Sequence, residues 1–351
     1  GNSALLLTSP RAPTMTAAAG DEYSNPIAPD SHPDSGTTFD QSYLISLVRQ
    51  LLETSTSPGK RKAKSAFDDD GPDDDRLADP GESGISTEEA GCILWDLTAS
   101  EVQANFLVQE ARLPEVALGI LTVSPFATPR LVEITLGILG NLGCHPGLPE
   151  RLAATSGMIP AVLGALMAPE QSIPCLMEAC RLLGVACRRE EGAPWRAAVL
   201  GDEDVLAFLL YVLDNSLSST LLERCLELLL TLAFEDPHRA IPALSGLGLP
   251  PVLVGVLQPD PAVHPTSRAH RAHLQGDTNV QKVAAREGGA AGAVLDVAAR
   301  LLEALTVDGG MAMQLAGHRP LVDALGQLAA MGDDAASPSA STAAVIVLAN
   351  L

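Results

Sequence analysis

Four glutamates recur along the chain at a fixed interval of 45 residues: Glu88, Glu133, Glu178 and Glu223. Carboxylates at a regular spacing can form a row that attracts lysine or arginine side chains of a partner. The same residues also have an explanation without a partner, because a carboxylate near a helix start interacts favourably with the helix dipole, by roughly 0.3–1 kcal/mol. The residues alone leave both explanations open, and the two are compatible.

Two other groups of residues have the side chains that metal or thiol chemistry needs. Three histidines lie in one short segment: His264, His270 and His273. Arg268 and Arg271 lie between them and oppose a bound cation, so we expect no metal site. Cys144 precedes His145, but adjacent residues at a helix end point in different directions, whereas a nucleophile and its base must meet. Gly-rich phosphate loops, nucleophile elbows and HExxH are absent, so we expect no enzyme activity, no catalytic residue and no cofactor.

Composition and charge restrict the partners that the chain could bind. Of 351 residues 46% are hydrophobic and only 3% are aromatic, which favours a core of Leu, Val, Ala and Ile between packed helices. The formal net charge of −21 repels phosphate, so we expect no nucleic-acid binding and no binding to anionic membranes. A basic peptide or helix segment of another protein is the expected partner. Six cysteines form no CxxC pair, which favours the reducing nucleus or cytoplasm.

The interval of 45 residues is shared by apolar positions in two helical patterns. One column reads Leu97, Leu142, Cys187 and Leu232, and another reads Leu118, Leu163, Phe208 and Leu253. Two amphipathic helices in a period of about 45 residues indicate an all-α solenoid of stacked helical repeats. Proline at the first turn of one helix, as at Pro160, followed by a Glu-led helix favours an armadillo-type solenoid.

The sequence divides the chain into two regions. Residues 1–85 are acidic and rich in Pro and Ser and are predicted to be largely disordered, except for an amphipathic helix over 39–53 with Asp40 as its N-cap. We expect this helix to cap the array rather than to wait for a partner. The armadillo-like repeat domain is predicted over 86–351, with a loop insertion at about 258–292. A basic cluster is either a nuclear-localisation signal or the end of a solvated linker: Lys60, Arg61, Lys62 and Lys64.

In armadillo proteins the third, Glu-led helix of each repeat lines a concave groove. By that resemblance, the groove residues are Glu88, Asp96, Glu133, Asn141, Glu178, Glu223 and Glu227. Import receptors of the importin-alpha type repeat Trp and Asn along this groove, but here the Asn column reads Asp96, Asn141, Ala186 and Thr231, without Trp four residues before. A classical import receptor is therefore not expected. A nuclear-transport adaptor for basic peptides stays an alternative function, and so does a metal- or thiol-dependent enzyme that would use the three histidines or Cys144.

Two segments resemble a named family more specifically. "GCILWDLTASEVQANFLVQEARLPEVALGIL" and "TPRLVEITLGILGNLGCHPG" resemble the armadillo-like SAAL (serum amyloid A-like) family. The resemblance implies a scaffold without enzymatic activity, located in the nucleus or cytoplasm and linked to cell proliferation. Trp95 and Phe106 lie inside the first segment, and we expect them in the core of the first repeat.

Overall fold

The computed structural model describes residues 40–56, 85–122, 127–169, 171–188, 190–257, 278–330 and 338–351. Within these ranges the regular secondary structure is helical, with seventeen α-helices and one 3₁₀ turn (Glu190–Gly192). The helices are α1 (Gln41–Thr56), α2 (Thr87–Leu97), α3 (Glu101–Gln109), α4 (Leu113–Thr122), α5 (Pro129–Cys144), α6 (Leu148–Ala154), α7 (Met158–Leu166), α8 (Ile173–Ala186), α9 (Ala193–Gly201), α10 (Glu203–Asn215), α11 (Ser219–Glu235), α12 (Pro237–Gly246), α13 (Leu249–Leu257), α14 (Thr278–Thr306), α15 (Gly309–Gly317), α16 (Arg319–Ala330) and α17 (Pro338–Asn350). The all-α prediction is confirmed.

From α3 onward the helices form repeats of three. The third helices α5, α8, α11, α14 and α17 pack one on the next, and α2 packs on α5 at the start of this row. The second helices lie beside them, so that α4, for example, packs on both α5 and α7. The two helical columns that share the 45-residue period are these second and third helices. Short first helices (α3, α6, α9, α12 and α15) connect each repeat to the one before it.

Hydroxyl side chains determine where the third helices begin. Thr128, Ser172 and Ser218 each accept a hydrogen bond from the backbone N–H three residues ahead and so act as N-caps of α5, α8 and α11. Ser86 does the same for α2 and forms a capping box with Glu89. Because these caps recur with the repeat, corresponding residues of α5, α8 and α11 lie at similar heights on neighbouring helices.

Helix α1 is part of the array, which moves the start of the array earlier than residue 86. Its apolar face is buried against α2 and α4, through Leu44, Leu47, Val48 and Leu51. Asp40 accepts hydrogen bonds from the N–H groups of Ser42 and Tyr43, at 2.9 and 3.2 Å, and caps the helix. The contacts of α1 with α2 and α4 correspond to those of α4 with α5 and α7, so α1 and α2 are the second and third helices of the repeat that precedes α3, α4 and α5. The compact unit accordingly runs over Asp40–Leu351.

The predicted loop insertion at 258–292 requires a correction. Residues 278–292 are helical and form the first half of α14. Alanine is frequent in "QKVAAREGGAAGAVLDVAA" and has the highest helix propensity of all residues, which outweighs the lack of large apolar side chains that suggested a loop. Residues 258–277, with the three histidines, and the basic cluster at 60–64 lie outside the described residues.

Among the described helices, none alone is long and apolar enough to cross a membrane. Helices α12 and α13 meet that criterion only as a pair, by length and composition, and they are bent by 79° at the break between them.

Candidate protein-binding face

The structure places all seven predicted groove residues on the row of third helices. Glu88 and Asp96 lie on α2, Glu133 and Asn141 on α5, Glu178 on α8, and Glu223 and Glu227 on α11. The two α2 carboxylates are exposed, whereas the other five side chains are half-buried. We name this surface of α2, α5, α8 and α11, which carries these seven residues, the third-helix face.

The helix dipole does not account for three of the four periodic glutamates. Glu133, Glu178 and Glu223 lie beyond the first turns of their helices, which contain no acidic residue, and the dipole effect fades within that turn. Glu88 alone lies in a first turn, and it also accepts a hydrogen bond from Thr128 Oγ1 at 2.8 Å. The position of the other three therefore needs another cause.

An arginine three residues away forms an ion pair with a glutamate on each of α5, α8 and α11. Arg130 pairs with Glu133, Arg181 with Glu178 at 2.7 Å, and Arg224 with Glu227 at 2.8 Å. We call these three pairs the arginine clips. The hydrogen bond to Glu133 raises the pKa of the Arg130 guanidinium above its usual value, so this cation is held firmly in its charged form. Much of the charge on the third-helix face is thus neutralised internally.

Both polar atoms of the Asn141 side chain form hydrogen bonds within the array. Its Nδ2 donates to the Trp95 carbonyl on α2 at 2.9 Å, and its Oδ1 accepts from Arg181 Nη1 on α8 at 3.1 Å. Arg181 also donates through Nη2 to the Gly137 carbonyl at 2.9 Å. One amide side chain therefore connects three consecutive third helices, and both of its polar atoms are already occupied.

Trp95 lies on this same surface rather than in the core. It is half-buried, and its ring lies so close to Gly137 that a Cβ there would stand 2.2 Å from Trp95 Cε2. Phe106 is also half-buried, so the prediction that both aromatic residues form the core of the first repeat is wrong. The fully buried tryptophan is Trp195 on α9. Glycine at position 137 provides the space in which the indole of Trp95 covers α5.

Glu223 differs from the other half-buried carboxylates of this face. Among the described residues it forms no ion pair and no hydrogen bond through its side chain, while Arg224 pairs with Glu227. Burial, and then the charge of Glu227, raise the pKa of the Glu223 carboxyl above its usual value, while Arg224 acts in the opposite direction. We call Glu223 the free carboxylate of α11, because its side chain has no ion pair or hydrogen bond among the described residues.

Cys144 and His145 do not form a nucleophile–base pair. Cys144 Sγ donates to the Gly140 carbonyl at 3.4 Å, whereas His145 Nε2 hydrogen-bonds the Thr98 carbonyl at 2.8 Å, so the two side chains face different partners. Among the residues that the structure describes, no three or more His, Cys, Asp or Glu side chains are grouped so that they could hold a metal ion.

Sequence reasoning missed the arginine clips, although a signal for them was present. Arg130 and Glu133, Glu178 and Arg181, and Arg224 and Glu227 are each three residues apart, the spacing at which side chains meet on a helix. The 45-residue period concealed them, because the three arginines do not occupy one column.

The chain has sequence relatives in several species. The chain is 33% identical over 150 residues to Protein saal1 of Danio rerio, and 29% and 26% identical over 187 residues to Protein SAAL1 of Mus musculus and Homo sapiens. The chain is related to the SAAL1 proteins. The zebrafish match covers 42% of this chain and 31% of the relative. The mouse and human matches each cover 53% of this chain and 36% of the relative, so the chain spans about a third of the length of these SAAL1 relatives. No family model matches the chain.

Solved structures show the same fold at low sequence identity. A designed armadillo repeat protein matches with a TM-score of 0.58 at 13% identity, and computationally designed armadillo repeat proteins for modular peptide recognition match with 0.57 at 14% identity. Each match covers 88% of this chain and 99% of the other chain. This SAAL1 relative is therefore an armadillo-like α-solenoid.

Proposed function

We propose that this chain is a non-enzymatic scaffold that binds a basic peptide or helix segment of a partner protein on its third-helix face. The observation that supports this most strongly is the half-buried carboxylate of Glu223, which forms no ion pair with the described residues, whereas Glu133, Glu178 and Glu227 on the same face each form one. The net charge of −21 favours a positively charged partner over long distances.

The armadillo-like fold supports a binding function of this type. One group of structural neighbours was designed for modular peptide recognition, and the third helices of this chain provide the corresponding continuous surface. The relationship to the SAAL1 proteins supports a scaffold as well. We further propose that the protein acts in the nucleus or cytoplasm as a regulator linked to cell proliferation, as the family resemblance implies.

The arginine clips limit where binding takes place. Arg181 occupies Asn141 and the Gly137 carbonyl, so a peptide at α5 and α8 would have to displace a cation that is already hydrogen-bonded. Asp96 on α2 and Glu223 on α11 require no such displacement. We therefore propose that α2 and α11, rather than the centre of the row, make the charged contacts with the partner.

Charge reversal tests this function directly. The Asp96→Lys and Glu223→Lys variants would be compared with the intact chain by proximity labelling in cells, after thermal melting has shown that both variants fold. Glu203→Lys and Asp214→Lys, at exposed positions of α10, are the matched controls. We expect loss of the same few partners from both test variants and not from the controls. Unchanged partner sets in folded variants would contradict the proposed function.

A further inference from the structure

A cleft of about 910 Å³ opens between the first helices α12 and α15, where α11 and α14 end. Ile241 and Pro242 of α12 and Met311 of α15 line it with apolar surface, and Phe234 and Val307 at the ends of α11 and α14 form its rim. The cleft lies outside the column of groove residues that the sequence singles out.

At the third residue of the helix, α15 carries a smaller side chain than α9 does. The third residue of α9 is Trp195, whose buried indole donates from Nε1 to the Pro149 carbonyl of α6 at 3.0 Å and so fills the space between two first helices. The third residue of α15 is Met311, whose sulfur accepts from Ser245 Oγ of α12 at 3.2 Å. A thioether occupies less volume than an indole, and space remains between α12 and α15.

The rim of the cleft exposes large apolar side chains. Phe234 is 63% exposed and Val307 is 83% exposed, although both border a concave apolar surface. Apolar side chains that gather around a cleft, rather than being scattered singly, mark an interaction site. Ligand sites of this kind are concave and mostly apolar, with a few polar groups that determine orientation, and His238 and Asp308 supply such groups here.

Helix α11 connects this cleft to the free carboxylate of the third-helix face. Glu223, Glu227 and Phe234 are separated by four and seven residues, which places them within about 40° of one another around the helix. At 1.5 Å per residue, Phe234 lies about 16 Å along the helix from Glu223. A charged contact and an apolar contact are therefore available on the same side of one helix.

We infer that the cleft between α12 and α15 binds a bulky apolar side chain of a partner peptide whose basic side chain, about five residues away in an extended chain, pairs with Glu223. This assignment rests on the proposed function and specifies its ligand. Charge complementarity selects the occupant, because the Glu223 carboxylate forms no ion pair with the described residues and the whole chain has a formal net charge of −21. An acidic or purely apolar segment would leave Glu223 unpaired.

Selection from a phage-displayed library of random linear peptides on the full chain identifies the ligand without prior assumptions. Selected peptides would then be synthesised and measured by fluorescence anisotropy against four variants. Glu223→Gln removes the charge, and Phe234→Ala and Val307→Ala each remove one side chain of the exposed rim. His238→Trp fills the cleft from an exposed position. Val102→Ala and Glu203→Gln, at exposed positions of α3 and α10, are the matched controls.

We expect the selected peptides to combine Arg or Lys with Leu, Met or Phe at one fixed spacing. Loss of one charge-assisted contact weakens binding about tenfold, so Glu223→Gln should reduce affinity by at least this factor. His238→Trp should reduce affinity by at least the same factor, because it fills the cleft, while the controls should not. Selected peptides without the basic residue, or affinities that the cleft variants leave unchanged, would overturn the assignment. Sedimentation that shows a dimer of the free chain, lost in Phe234→Ala, would also overturn it, since the cleft would then bind a second copy.

The outcome also separates this inference from the proposed function. If Asp96→Lys and Glu223→Lys lose partners in cells but the peptides do not depend on the cleft, the proposed function stands and the cleft assignment fails. If neither experiment shows an effect, both fail.

Discussion

Arg181 on α8 donates to Asn141 on α5, and Asn141 in turn donates to the Trp95 carbonyl on α2. A cation of the protein itself thus lies where a groove asparagine would meet a ligand. The guanidinium also hydrogen-bonds Glu178 and the Gly137 carbonyl, so it is held by three groups on two helices. The centre of the third-helix face is therefore better understood as a bracing element between repeats than as a vacant binding site.

Asn141→Ala is expected to destabilise the protein, because it leaves the Trp95 carbonyl and one Arg181 donor without their partner. An unsatisfied, partly buried polar group costs about 1–3 kcal/mol, and we expect a loss of this size in the free energy of unfolding measured with urea. Asn215→Ala is the matched control, since Asn215 is exposed and bonds only the Tyr211 carbonyl of its own helix.

A double-mutant cycle with Arg181→Met measures the bond itself. If Asn141 and Arg181 act together, their effects on stability are non-additive, with a coupling of about 0.5–3 kcal/mol. Additive losses would show that the bracing network contributes no coupling between repeats.

Gly137→Ala is expected to destabilise the protein, although alanine is the better helix former. A Cβ at position 137 would lie 2.2 Å from Trp95 Cε2, so the indole or the helix must move, at a cost of about 1–3 kcal/mol. Gly164→Ala on α7 is the control, because nothing lies within 4 Å of a Cβ there. It should raise the free energy of unfolding by about 0.5–1 kcal/mol. Equal effects of the two substitutions in urea titrations would mean that Trp95 does not cover α5.

The fold was predictable because the same sequence pattern occurs in several repeats. Each capped third helix and its apolar column recur about every 45 residues, so a weak helical pattern in one repeat can be recognised from the corresponding residues of the others. Helix α1 was predicted to cap the array but not to belong to a repeat, because residues 57–84 separate it from α2 in the sequence. The start of α14 was missed for a related reason, since its first half lacks the large apolar residues of the repeat pattern.

The site was predictable only in part, because its contacts do not follow the period. The glutamate column correctly predicted which residues share the third helices, but whether a carboxylate is free depends on a nearby arginine. Arg181 reaches Asn141 across 40 residues and Arg130 reaches only Glu133 and Cys92, although both belong to third helices. The cleft at Phe234 lies where α15 has Met311 and α9 has Trp195 at the corresponding position. No local sequence pattern indicates that this difference leaves a cleft.

Cysteine reactivity should separate two classes of thiol in the native protein. Cys144 is exposed, whereas Cys175, Cys180, Cys187 and Cys225 are buried. Burial raises the pKa of Cys187 to about 12, and the hydrogen bond with Cys180 together with burial holds the pKa of Cys225 well above its usual range. Because the thiolate is the reactive form, these two should react with Ellman's reagent only after unfolding. A fast phase of the native protein that persists in the double variant with Cys92→Ser and Cys144→Ser would contradict the burial of the other four cysteines.

Glu223→Gln is expected to stabilise the isolated protein at neutral pH. The pKa of this carboxyl is raised in the folded state above its unfolded value, so the folded protein binds the proton more tightly than the unfolded chain does. The ionised carboxylate therefore reduces stability above the folded pKa, and this penalty disappears as the pH falls below the unfolded pKa. The gain from glutamine should be less than about 1 kcal/mol, because water screens a half-exposed charge, and it should vanish in acid.

Urea titrations of the intact chain and of Glu223→Gln between pH 4 and pH 8 measure this difference directly. Glu203→Gln provides the comparison, since Glu203 is exposed in the first turn of α10, where the helix dipole favours its charge and its replacement should lower stability slightly. A stability gain that is independent of pH would assign the effect to packing rather than to charge. A loss of stability at neutral pH would show that Glu223 already has a cationic partner inside the protein, and the free carboxylate on α11 could then no longer serve as the anchor for a basic ligand.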